Sequence, residues 1–142
     1  MRHLKITSTL LFCLLTTLAS ADDISDAREA GLNILKSLEQ GKNKSVWNDN
    51  VSDWFKQRMT RDAFLANMTT VQLQLGGAAT QRRPVQQNRS QGNSQMGYNG
   101  PIYSFTFATS FPATNAYETI VVIRESGEYK LSGINWVPNP NE

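Results

Sequence analysis

The chain has 142 residues and carries 14 Lys and Arg against 12 Asp and Glu, with one histidine and one cysteine. His3, Cys13, Arg2 and Lys5 all fall in the first 21 residues. Beyond them the charges balance, and there is no imidazole base, no thiol nucleophile, none of the usual soft metal ligands His and Cys, no disulfide, and no excess of positive charge to attract nucleic acid.

Those 21 residues read as a secretory signal peptide. Arg2 and Lys5 form a positive start, residues 6–18 (ITSTLLFCLLTTL) are apolar, and Ala19-Ser20-Ala21 matches a small-x-small cleavage pattern. The apolar run is shorter than the roughly 20 residues needed to span a bilayer. Cys13 sits inside the run rather than at the first mature position, where Asp22 stands, so a lipid anchor is not expected. The expectation is export to the periplasm or the extracellular space, with residues 22–142 as one domain and no membrane span after cleavage.

Residues 22–75 form the helical part. Ser25 is the expected cap of a first helix with Asp26 and Glu29 in its first turn, and Ala27, Ala30, Ile34 and Leu38 along one face. Gly41 ends it. Ser45 is the expected cap of a second helix presenting Trp47, Val51, Trp54 and Phe55. Thr60 caps a third, with Phe64, Leu65, Met68, Val71 and Leu75 as its apolar set, and Gly76-Gly77 stops it.

Residues 76–100 are polar and rich in Gln and Asn. An edge strand is expected around residues 82–88, where Pro84 is tolerated, and an exposed loop over residues 90–100. Residues 101–138 read as an antiparallel meander. Tyr103, Phe105, Phe107 and Phe111 alternate with Ser and Thr. Tyr117, Thr119, Val121 and Ile123 share a face of the next strand. Glu125-Ser126-Gly127-Glu128 is a tight turn, with Gly127 for positive φ, and the last strand stops at Pro138. The fold class is therefore α+β: three N-terminal helices on one face of a curved antiparallel sheet of three to four strands.

The order of Trp47, Phe55-Lys56, Thr60 to Phe64, Leu75-Gly76, Arg82, Gly100-Pro101, YSFTFATSF, ETIVVIRE and EYKLSG resembles the small exported bacterial domains called domain of unknown function 4019. The resemblance implies export and architecture but no activity. Cone-shaped α+β folds of the nuclear-transport-factor-two type are similar in shape only, and function does not follow from fold.

Chemistry is sparse. Asp22, Asp23 and Asp26 lack the glycine and spacing of a calcium loop. Asp49 and Asp53 read as solvated helix residues rather than an acid/base pair. No nucleophile–base constellation is present. No metal site, cofactor or catalytic residue is expected. An aromatic set of Trp47, Trp54, Phe64, Tyr103, Phe105, Phe107, Tyr117 and Trp136 reads mainly as core. Within it Trp47, Trp54, Tyr103 and Phe105, with Arg82 for an acidic group, make the one candidate ligand pocket. Arg82 could equally tie the sheet to Asp49, Asp53 or Asp62. The leading reading is a non-catalytic binding or accessory protein of the cell envelope, with an envelope protein, a small ligand or a second copy as partner. The alternatives are a cone-fold enzyme using Asp53 and Tyr103, and a surface or assembly subunit.

Overall fold

The computed structural model describes residues 14–139 and 141, with side chains from Asp22 onward. The positive start of the expected leader and the first part of its apolar run lie outside the described residues. The elements in chain order are α1 (Leu14–Glu39), α2 (Asn43–Asn50), α3 (Asp53–Lys56), α4 (Arg61–Leu75), β1 (Gln81–Asn93), β2 (Tyr98–Ser110), β3 (Asn115–Glu125) and β4 (Glu128–Pro138). The four strands form one antiparallel sheet in sequential order.

There are four helices, not three, among the described residues. α1 does not begin at a Ser25 cap: it runs from Leu14 through Ala19-Ser20-Ala21 without a break. Nothing in that stretch stops it, since no glycine or proline occurs between Leu14 and Gly31, and upstream carbonyls serve the amides that a cap would otherwise have to satisfy. α2 starts two residues before Ser45, with no side-chain cap at Lys42.

The expected second helix is split. Val51 leaves the helix to pair with Leu131 in a parallel bridge, and the Ser52 amide donates to the Leu131 carbonyl at 2.9 Å. The Ser52 hydroxyl then accepts from the Phe55 amide to start α3 and meets Ser132 Oγ at 2.8 Å. Val51 and Ser52 thus sit beside β4 like the stub of a fifth strand. Helical spacing of Trp47, Val51 and Phe55 could not reveal this, because the pairing partner lies 80 residues on. α4 matches expectation: Thr60 Oγ1 accepts from the Ala63 amide, and Gly76 closes the helix at φ 79°.

α1 lies across the sheet. Ala27, Ile34, Leu35 and Leu38 are buried, and Gly31 lets the helix approach so closely that a Cβ there would sit 3.3 Å from Ile120. Facing them are Tyr103, Phe105 and Phe107 of β2, the aromatic row expected inside. β3 turns Ala116, Glu118, Ile120 and Val122 to the same interior. The other face, with Tyr117, Thr119 and Val121, looks away from α1; Tyr117 is therefore no core aromatic and is 39% exposed. β3 and β4 meet at Ser126-Gly127, with φ of 51° and 80°, the two positive φ values that a tight right-twisted hairpin requires.

Residues 90–100 are not a loop. β1 continues to Asn93, a single 3-10 turn over Ser94–Met96 follows, and β2 starts at Tyr98. The tip is held by Trp54, whose indole N–H donates to the Met96 carbonyl at 2.7 Å, and by Arg58, which donates to the same oxygen while stacking 3.8 Å over the Trp54 ring. β1 is an edge strand as expected, interrupted by a register shift between Pro84 and Gln86.

The Tyr129 hydroxyl donates to the Asp23 carbonyl at 3.2 Å, tying β4 to α1. Burial, then the charge of Asp23 and the proximity of Tyr103, push this phenol from 10.0 up to about 12. The folded chain keeps the proton after the unfolded chain has lost it, so the contribution is whole below pH 10 and is lost as pH rises towards 12. Denaturant midpoints measured across that window should fall more steeply for the native chain than for Tyr129→Phe; parallel slopes would refute the assignment.

Candidate functional site

Two hollows flank Trp136. The first is a cavity of about 120 Å³ enclosed by Leu35, Leu38 and Glu39 of α1, Met68, Val71, Gln72 and Leu75 of α4, and Phe111, Glu118 and Trp136 of the sheet. The second is an open groove of about 760 Å³ between α4 and β4. Met68, Val71, Leu75 and Trp136 line both and separate them.

The polar end of the cavity is built around Glu118. Its side chain is 2% exposed, and both oxygens are occupied. Oε1 accepts from Arg82 Nε at 2.6 Å and from Thr109 Oγ1 at 3.2 Å; Oε2 accepts from Trp136 Nε1 at 2.8 Å. Arg82 reaches on with Nη2 to Glu39 of α1. Burial pulls the Arg82 proton affinity down, but the hydrogen bonds and charges of Glu118 and Glu39 more than reverse this and hold it above the ordinary value. Arg82 is thus the structural tie foreseen as one of its two roles, but to Glu39 and Glu118 rather than to Asp49, Asp53 or Asp62.

The groove has a different character. Its walls are Phe55, Met59, Phe64, Met68, Val71 and Leu75 on the helical side and Ile134, Trp136 and Pro138 on β4, with Asn67, Thr70, Gln74, Thr114 and Asn135 at its rim. No charged side chain lines it. α4 packs on α2 and joins the core on the sheet through Phe64, Met68 and Leu75. Gln72 holds it there: its amide donates to the Leu38 carbonyl at 2.7 Å and exchanges hydrogen bonds with Asn43 at 2.8 and 3.1 Å. In the same last turn the Leu75 carbonyl accepts from the Ala113 amide at 3.0 Å. The C-terminal turn of α4 is therefore pinned, while Phe64 and Met68 further back are buried in the core.

The five residues of the candidate pocket are not brought together. Trp47 is buried against Phe64, ring centroids 5.3 Å apart. Tyr103 is buried against Tyr129 at 5.7 Å. Phe105 is core, its edge lining a shallow hollow beside Gln86 and Gln87. Trp54 lies on the other side of the sheet, in a cavity of about 100 Å³ with Met96, Tyr98, Ile102 and Ile123. Arg82 stands at the Glu118 end. Nor do Asp53 and Tyr103 meet: Asp53 is exposed at the start of α3, where its amide donates to Glu125 at 2.8 Å. Asp49 is exposed on α2. Of the wider aromatic set, Phe64 and Trp136 reach the groove. Glu118 went unrecognised because it occupies an inward position of a strand whose neighbours are apolar. Its one signal was that parity, opposite to the face of Tyr117 and Thr119. Among the described residues no group of three or more His, Cys, Asp or Glu gathers as a metal site, and no helix is long and apolar enough to cross a membrane.

Removing one partner of a buried pair costs more than neutralising the other gently, because the survivor is a stranded charge. Arg82→Met should therefore lower stability by about 3–5 kcal/mol. Glu118→Gln keeps acceptors for Trp136 and Thr109 and should cost about 1–3 kcal/mol. Urea midpoints in the reverse order would contradict the reading of Glu118 as the hub that pairs with Arg82.

A family model described as a protein of unknown function, DUF4019, matches residues 30–134, from the middle of α1 to Ile134 of β4. No curated protein and no solved structure matches the chain. The match covers most of the chain and takes in α4, the first three strands and the first part of β4; the chain belongs to the DUF4019 family.

Proposed function

We propose that the chain is an exported, non-catalytic binding module of the cell envelope and that its binding site is the uncharged groove between α4 and β4. The groove carries the reading. It is the largest of these hollows, its walls are apolar, and its helical side is fixed by Gln72 and Leu75 in the last turn of α4. Apolar concave sites with a few polar groups at the rim are the usual form of a ligand site. The Glu118 cluster serves it by orienting Trp136, one of its walls. Register shifts in β1 and β3–β4 support a sheet that bends round the helices in a cone-like manner.

Export rests on the leader pattern of residues 1–21. Cleavage after Ala21 would make Asp22, Asp23 and Asp26 the start of α1, where the helix dipole favours acids. A tagged full-length chain produced in a Gram-negative host should appear in the osmotic-shock fraction with Asp22 as its first residue by intact mass. Recovery from the cytoplasm with Met1 in place would sink the export half of the reading.

The binding half is tested with Nile red, a neutral apolar dye. It should brighten on the native chain and bind Val71→Arg at least tenfold more weakly, about 1.4 kcal/mol, because the new guanidinium projects into a groove with no counter-charge. Unchanged binding by a folded Val71→Arg would place the dye, and the site, elsewhere.

A further inference from the structure

The main chain of β4 shows what form an occupant of the groove takes. The Asn139 amide donates to the Asn115 carbonyl at 3.0 Å. Asn139 and Asn115 therefore form a hydrogen-bonded pair in the antiparallel ladder, and the register Ala116↔Pro138, Glu118↔Trp136, Ile120↔Ile134 follows. In such a ladder alternate residues turn their N–H and C=O away from the partner strand. Val137 and Asn135 bond β3, so Ile134 and Trp136 direct their amides and carbonyls outward, to the α4 side. Among the described residues those groups have no hydrogen-bond partner. Their side chains line the groove itself.

The lane beyond β4 is already in use at one end. Val51 pairs with Leu131 in the fifth-strand position, and the Ser52 amide donates to the outward Leu131 carbonyl. The chain then turns off into α3 and leaves the lane empty from Gly133 to Pro138. That stretch is about 20 Å long at roughly 3.3 Å per residue. The 15 residues of α4 give it a roof of about 22 Å. A groove beside α4, an unpaired strand edge along it, and a stub of the chain's own backbone in the same lane together describe a sheet one strand short.

We propose that the groove binds an extended, uncharged segment of another protein, which adds to β4 as a fifth strand beyond the Val51–Ser52 stub. The inference rests on the groove being the binding site and says what occupies it. Main-chain bonds to Ile134 and Trp136 supply the fixed part of the recognition, as in strand addition generally. Alternate apolar side chains of the segment meet Val71 of α4 and the half-buried Phe55 and Met59. Charged residues are disfavoured because no lining group could pair with them.

The probe is a pool of synthetic peptides of about eight residues, long enough to fill the lane, alternating Val, Ile, Phe or Tyr with Ser or Thr. It is compared with the same pool N-methylated at every amide. Hydrogen exchange of the native chain is followed residue by residue. The expected result is a slowing of at least tenfold at the Ile134 and Trp136 amides with the plain pool, no effect with the methylated pool, and displacement of Nile red by the plain pool only. Equal binding of the two pools, or dye binding with no response to either, overturns strand addition and leaves the groove as an apolar ligand site. If neither dye nor peptide binds, both readings fall. A dimer in sedimentation whose Ile134 and Trp136 amides are protected without peptide assigns the lane to a second copy and overturns the proposal.

Discussion

One carboxylate joins every layer of this protein. Glu118 of β3 accepts hydrogen bonds from Arg82 of β1, Thr109 of β2 and Trp136 of β4, and Arg82 extends the network to Glu39 at the end of α1. A buried carboxylate tolerates its site only when its oxygens are occupied, so the position of each partner is tied to the others. β1 depends on it most. That strand is almost wholly exposed along its 13 residues, and Arg82 is its main link to the interior.

Trp136 transmits this arrangement to the groove. Its indole N–H is fixed on Glu118, so its ring is held as a partition between the small cavity and the open groove. Opposite it, the last turn of α4 is fixed where Gln72 bonds α1 and α2 and Leu75 bonds the β2–β3 connection. The same logic governs the far side of the sheet, where Glu125 caps α3 through the Asp53 and Trp54 amides and the hairpin tip is clasped by Trp54 and Arg58.

The local rules succeeded where neighbours in sequence are neighbours in space. The Thr60 cap and the Gly76 stop of α4, the aromatic alternation of β2, and the Ser126-Gly127 turn all depend on contacts a few residues apart. They failed where a distant partner intervened. Val51 and Ser52 carry a helical pattern, yet Leu131 and Ser132 draw them out of the helix. Residues 90–93 look like loop, yet pairing with β2 makes them strand. The five aromatic and basic residues grouped as a pocket share a composition, not a place: one faces the outer side of the sheet, three are core, and Arg82 serves the Glu118 network.

The sequence by itself determined the family, the α+β class, the period-two core of the meander and the charge balance that remains beyond position 21, because patterning, composition and short-range chemistry are properties of the chain. Only the tertiary structure decided that Glu118 is buried and shared by four strands, that the second helix breaks, and that a lane stands empty beside β4. Each of these depends on which distant residues meet. A buried charge, a broken helix and a vacant strand edge are outcomes of long-range pairing, and no local period encodes them.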